Sequence, residues 1–173
     1  LEKQDVKMIL VACGTVSSVL GENIGEGRKI PCIGVLEPTV KAAVSATKNK
    51  NIGLIATAAT VASGSYEKLT AELMPEAKFT GKGCPLFVPL VENGYFAANC
   101  EVTRLVAKDY LSAFDGKDID TLILGCTHYP LLREVIGDVM GPDVTLVNPA
   151  YETARELCYV LEDNHLLREA DTQ

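Results

Sequence analysis

Two short stretches of this 173-residue chain combine the residue types and the setting that thiol chemistry needs. Ile9-Leu10-Val11-Ala12-Cys13-Gly14-Thr15 and Leu122-Ile123-Leu124-Gly125-Cys126-Thr127-His128 each run an apolar, β-rich segment into a cysteine with a threonine close behind. In open parallel sheets the ligand crevice lies beyond the carboxyl ends of the strands, so each thiol is expected at the mouth of a site. A turn into a helix after each cysteine would bring free backbone N–H groups and the positive end of the helix dipole to the sulfur, which favours a thiolate. Thr15 and Thr127 add hydroxyls that either cap the following helix or bond a bound carboxylate. His128 is placed to tune Cys126 or to carry a proton, and Pro130 suits a first helical turn, where its missing N–H costs nothing.

Two thiols from two similar turns fit one reaction in particular. Inverting an α-carbon requires a base on one face to remove the proton and an acid on the other to return it, so the pair should be nearly mirror-related. With an ordinary pKa of about 8.5, a cysteine serves as thiol or thiolate near neutral pH after a modest shift. On spacing alone, two buried structural cysteines remain the competing reading.

The surrounding sequence limits the other choices. Sixteen basic against twenty-three acidic residues give a net charge of −7, which disfavours nucleic acid or an anionic membrane as the partner. No apolar run reaches the roughly eighteen residues of a membrane span and the first residues are charged, so a cytoplasmic protein is expected. Six scattered cysteines with no Cys-x-x-Cys pair, and only two histidines, argue against a disulfide scaffold and a structural metal site. Cys32, Cys84, Cys100 and Cys158 sit in apolar or helix-like surroundings and are expected to be packing residues. His165, in a polar run, is expected on the surface.

The elements that must position these turns read as α/β. Short apolar runs at 7–12, 32–35, 52–57, 121–124 and 144–147 alternate with amphipathic stretches at 39–46, 60–73, 97–114, 131–140 and 152–162, a pattern that predicts a largely parallel sheet flanked by helices. Glu37-Pro38 and Asn148-Pro149 each follow a strand, and proline there is expected to interrupt ladder and helix at a domain crossing.

Three strings are similar to signatures of glutamate racemases: Ala12 to Thr15, Cys84-Pro85-Leu86-Phe87-Val88-Pro89-Leu90-Val91-Glu92, and Thr121 through Leu132 with Gly125-Cys126-Thr127-His128-Tyr129-Pro130 at its centre. Ile33-Gly34-Val35-Leu36-Glu37-Pro38 and Ile52-Gly53-Leu54-Ile55-Ala56-Thr57 followed by Thr60-Val61 match in the same order, so the resemblance runs from about Lys7 to about Leu157. It implies two similar α/β domains with the active site between them, here residues 1–37 with 148–173 and residues 38–147. It implies pyridoxal-independent, cofactor-free interconversion of L- and D-glutamate for peptidoglycan, with no metal. It implies Cys13 and Cys126 as paired acid and base, Gly14, Thr15, Thr127 and His128 at the substrate, Glu92 near the histidine, and Thr60 bordering the glutamate site. For Glu92 and Thr60 the plainer readings are a solvent-facing residue and a helix N-cap.

The chain also departs from that family. Gly14 stands where an asparagine is usual, leaving only a backbone N–H and allowing closer approach. Val147-Asn148-Pro149-Ala150 stands where an Asp-Ser pair is common. The family's opening Asp-Ser-Gly turn and Pro-Tyr-Gly loop have no counterpart, so the first domain is expected to be incomplete, the chain as it stands to be inactive, and exposed strand edges to favour a homo-oligomer, most simply a dimer. Aspartate racemase and a non-catalytic binding module of the same fold are the alternatives.

Overall fold

A computed structural model describes residues 1–168; the tail at 169–173, part of the expected first domain, lies outside them. Six strands alternate with helices and form two parallel sheets. β1 (Ile9–Val11) pairs with β2 (Cys32–Gly34), and β3 (Asn51–Ala56), β4 (Lys78–Gly83), β5 (Thr121–Leu124) and β6 (Thr145–Val147) make a four-stranded sheet in the order β4-β3-β5-β6. The helices are α1 (Gly14–Leu20), α2 (Leu36–Ala46), α3 (Ala58–Ala62), α4 (Ser65–Leu73), α5 (Phe87–Glu92), α6 (Glu101–Leu111), α7 (Arg133–Met140) and α8 (Pro149–Asp163). This is the α/β architecture with parallel sheets and flanking helices that the alternation predicts.

The four-stranded sheet is covered on both faces, which is why β3 and β5 read as continuous apolar runs. Strand side chains alternate between faces. Ile55, Leu122 and Leu124 pack with Phe87, Leu111, Val135 and Ile136 of α5, α6 and α7. Ile52, Leu54, Ala56 and Ile123 pack with Val40, Ala43 and Tyr66 of α2 and α4. Each such side chain removed from water contributes about 1.5–3 kcal/mol, and β5, buried at all four residues, is a rigid base for Cys126. The β1–β2 sheet is less enclosed: only Ile9 is buried along β1, and Leu10 is 40% exposed.

Several expectations change on contact with the structure. Strand β4 had no expected counterpart because Lys-Phe-Thr-Gly-Lys-Gly is rich in residues that strands disfavour, yet it pairs with β3 along six residues at the sheet edge, where lysine and glycine are tolerated. The stretch at 60–73 is two helices, since Gly64 adopts φ +67° between α3 and α4. Pro38 and Pro149 interrupt nothing. They occupy the first turns of α2 and α8, where no intrahelical N–H is needed. The cysteines are not mainly packing residues either. Only Cys84 is buried; Cys32 and Cys100 are half-buried and Cys158 is exposed on the outer face of an amphipathic helix. His165 is exposed, as expected.

Asp120 ties the β5 entry to the turn before β3. Its carboxylate accepts hydrogen bonds from the Thr47 hydroxyl at 2.6 Å, the backbone N–H groups of Lys48 and Asn49 at 2.6 and 2.8 Å, and the Thr121 hydroxyl at 3.0 Å. Burial alone would raise its pKa, but these donors outweigh it and hold the carboxyl below its usual range. Asp120→Ala is expected to lower stability at pH 7 by about 2 kcal/mol in urea denaturation. A depressed carboxyl stabilises above its unfolded pKa of about 3.9 and ceases to as the pH falls through its folded value, so the gap between the two proteins should close below about pH 4.

Candidate active site

The carboxyl ends of β1, β3 and β5 bring three groups of side chains together. Cys13 follows β1 as the N-terminal cap residue of α1, with extended backbone at φ −79°, ψ 119°, and is exposed. Cys126 follows β5 and is half-buried. The two turns meet directly: a Cβ built on Gly14 would stand 2.5 Å from the Gly125 carbonyl oxygen, so only glycine lets the backbones come this close. Gly125 is constrained on its other side, where a Cβ would lie 2.6 Å from Leu54 Cδ1 and 3.0 Å from the Ile55 carbonyl oxygen, and its N–H donates to that carbonyl at 2.7 Å.

Cys126 lies in a line of proton-handling groups. Its Sγ is 3.7 Å from His128 Nδ1, and His128 Nε2 is 3.2 Å from Glu92 Oε1. An ionised Glu92 accepts from Nε2–H, which leaves Nδ1 as the lone-pair nitrogen facing the thiol. Thr127 Oγ1 lies 3.5 Å from the same Nδ1. Glu92 reaches this position because α5 is pinned from below. Phe87 packs edge-on against Tyr110 and Tyr129, with ring centroids 5.3 and 5.2 Å apart, and the Tyr129 hydroxyl donates to the Cys84 carbonyl at 2.8 Å. The string from Cys84 to Glu92 is thus a bracket for a carboxylate, while burial pushes the Cys84 thiol itself up to about 12.

The third group is a ring of hydroxyls. Thr15, Thr57 and Thr60 lie with their Oγ1 atoms 2.9 Å apart in all three pairs, joining α1 to the end of β3 and the start of α3. Each hydroxyl has one proton, so the ring satisfies itself, and opening it frees donors for a ligand two residues from Cys13. Thr60 is not the N-cap. Thr57 is, accepting from the Thr60 N–H at 3.3 Å. Thr57 escaped the sequence reading, although a threonine at a strand end with a second one three residues on is an N-cap pattern that could have flagged it. The turn after Cys126 also differs from expectation: a 3-10 turn at Tyr129–Leu132, with Pro130 in it, precedes α7. Among the described residues no group of three or more histidine, cysteine or acidic side chains is arranged to hold a metal ion.

Burial is the main influence that raises the Cys126 pKa, and the Cys13 charge raises it further, while backbone and side-chain donors at His128 and Thr127 work in the opposite sense. Cys126 therefore rests as the thiol near neutral pH. Removing the second charge in Cys13→Ala is expected to shift the pH profile of Cys126 alkylation to lower pH, followed by peptide mass spectrometry. An unmoved profile would mean that the thiols do not sense each other.

With this geometry in view, the comparisons are specific. Residues 1–157 match the family described as Asp/Glu/Hydantoin racemase. The chain is 41% identical over 173 residues to a glutamate racemase of Geobacter metallireducens, covering all of this chain and 63% of that protein. It is similar in structure to glutamate racemase isoform RacE1 from Bacillus anthracis, with TM-score 0.91, 39% identity, and coverage of 96% of this chain and 62% of that one. A glutamate racemase of Francisella tularensis solved in complex with D-glutamate gives TM-score 0.90 at 34% identity, with coverage of 98% and 62%. An aspartate racemase of Picrophilus torridus, at 19% identity and TM-score 0.67, shares the fold. The chain spans about three fifths of the length of the glutamate racemases it matches.

Proposed function

The chain belongs to the Asp/Glu/Hydantoin racemase family, and from that premise we propose that it acts on glutamate, interconverting the L and D forms by two-cysteine proton exchange without a cofactor. The observation that carries this reading is the direct contact of two strand-end cysteine turns, close enough for the charge of Cys13 to act on Cys126. One sulfur takes the α-proton as thiolate while the other gives a proton to the opposite face as thiol, and the roles reverse with the enantiomer. Cys126, resting as thiol, starts as the acid, and when the roles reverse the Nδ1 lone pair of His128, with Glu92 behind the ring, takes its proton to make the thiolate. The line from Cys126 through His128 to Glu92 would also suit a thiol nucleophile, but a nucleophile has no use for the second cysteine. The hydroxyls of Thr15, Thr60 and Thr127 and the N–H of Gly14 serve as donors to the substrate carboxylates, and Thr57 joins them through the hydroxyl ring.

In this reading residues 1–37 with the returning tail from 148 form one lobe and residues 38–147 the other, with glutamate between them. The product D-glutamate would supply peptidoglycan, a cytoplasmic role; among the described residues no helix is long and apolar enough to cross a membrane. The single-sided pairing of β1 and the exposed Val16 and Val19 beside it support a homo-oligomer, in the simplest case a dimer.

The test is chiral chromatography of L-glutamate, D-glutamate and L-aspartate incubated with the protein in chelator and without pyridoxal phosphate. Equal amounts of the two glutamate enantiomers are expected from either start with the protein extended to its relatives' length, because free enantiomers have equal energy, and residues 1–173 alone are expected to convert far less. Conversion of aspartate alone would move the assignment to aspartate, and conversion of neither would leave a binding module.

A further inference from the structure

Tyr66 is a buried polar group that the proton-exchange scheme leaves unused. It lies in the first turn of α4, is 1% exposed, and forms part of the wall of a cavity of about 220 Å³ shared with Gly14, Gly125, Cys126 and Thr127. Its hydroxyl has no hydrogen-bond partner among the described residues. Thr39, whose own proton goes to the Val35 carbonyl, lies close enough for its oxygen to ease the phenol's burial but outside hydrogen-bonding geometry. A buried donor left unsatisfied costs stability, so such groups are retained for a reason outside the ligand-free fold.

The position of the hydroxyl says what would satisfy it. It lies 4.0 Å from the point where a Cβ on Gly14 would stand, which puts the O–H beside the contact between the two cysteine turns. Burial first, and the Cys126 charge second, raise the phenol pKa, which keeps Tyr66 a neutral donor throughout the working range. We propose that Tyr66 is a substrate-binding residue of this crevice, its O–H donating to the α-carboxylate of the bound acidic amino acid beside Cys126. The α-carboxylate is the group concerned because the thiol must reach the adjacent carbon, and negative charge spreads into that carboxylate as the proton leaves, where a fixed donor in a dry site is most effective. This rests on the racemase reading.

Tyr66→Phe keeps the ring and removes only the donor. The proposal expects two opposite changes: a melting temperature of the ligand-free protein equal to or above that of the wild type, and binding of racemic glutamate weakened about tenfold or more, by calorimetry or by the glutamate-induced shift in melting. Racemic ligand keeps the composition constant during turnover. A lower melting temperature in the ligand-free variant, or affinity equal to that of the wild type, overturns the proposal while leaving the racemase reading in place. Absence of any glutamate-dependent shift in the wild-type protein overturns both.

Discussion

Replacing either Cys13 or Cys126 with alanine is expected to lower glutamate racemisation by about 10³-fold or more, the scale set by loss of a positioned acid or base. The two substitutions should be alike in turnover and different in everything else. Cys126 is half-buried just beyond a strand packed on both faces, with His128 at 3.7 Å, so its loss empties one end of a hydrogen-bonded line. Cys13 is exposed at the start of a seven-residue helix and supports little packing, so Cys13→Ala should leave the melting temperature almost unchanged. Because the two sulfurs act as one unit, the double variant should be no slower than the worse single one. Full turnover in either single variant would remove the two-base mechanism; chiral chromatography of initial rates decides.

The second large effect is expected at Gly14. Placing the asparagine usual in the family at position 14 would put a Cβ 2.5 Å from the Gly125 carbonyl oxygen, and since the backbone fixes the Cβ and the oxygen is itself backbone, neither can rotate away. The cysteine turns must separate. Overpacking of this kind costs about 1–3 kcal/mol, and displacement of a reacting group by about 1 Å costs about 10²-fold in rate. Gly14→Asn should therefore lose about two orders of magnitude in turnover together with several degrees of melting temperature. A variant as fast and as stable as the wild type would show that the Gly14–Gly125 contact relaxes without consequence.

What the sequence disclosed, and what it withheld, follows from how local each feature is. The cysteine turns were legible because a buried strand, a turn and a polar residue are all encoded within seven positions, and the proximity of Glu92 to His128 was legible because the Cys84–Glu92 string resembles a known pattern. The alternation of strands and helices was clear for β3 and β5, whose apolar residues face covered sides. It failed for β4, where lysines and glycines suit an edge that only the neighbouring strand defines. It failed also for the exposure of Cys158, because an apolar neighbourhood in sequence does not say which helix face turns outward. The threonine ring needed two segments far apart in the chain, one carrying Thr15 and one carrying Thr57 and Thr60, to converge, and the unsatisfied hydroxyl of Tyr66 is a fact about space with no sequence signature.

The most direct measurement of the central claim is early-time racemisation of L-glutamate in heavy water, with α-deuterium followed separately in substrate and product by mass spectrometry after chiral separation. Two thiols on opposite faces predict that the D-glutamate first formed carries solvent deuterium while the recovered L-glutamate carries almost none, and that D-glutamate as substrate gives the mirror result. Deuterium entering recovered substrate as fast as product would mean a single base serving both faces, and deuterium in neither would contradict racemisation by this chain.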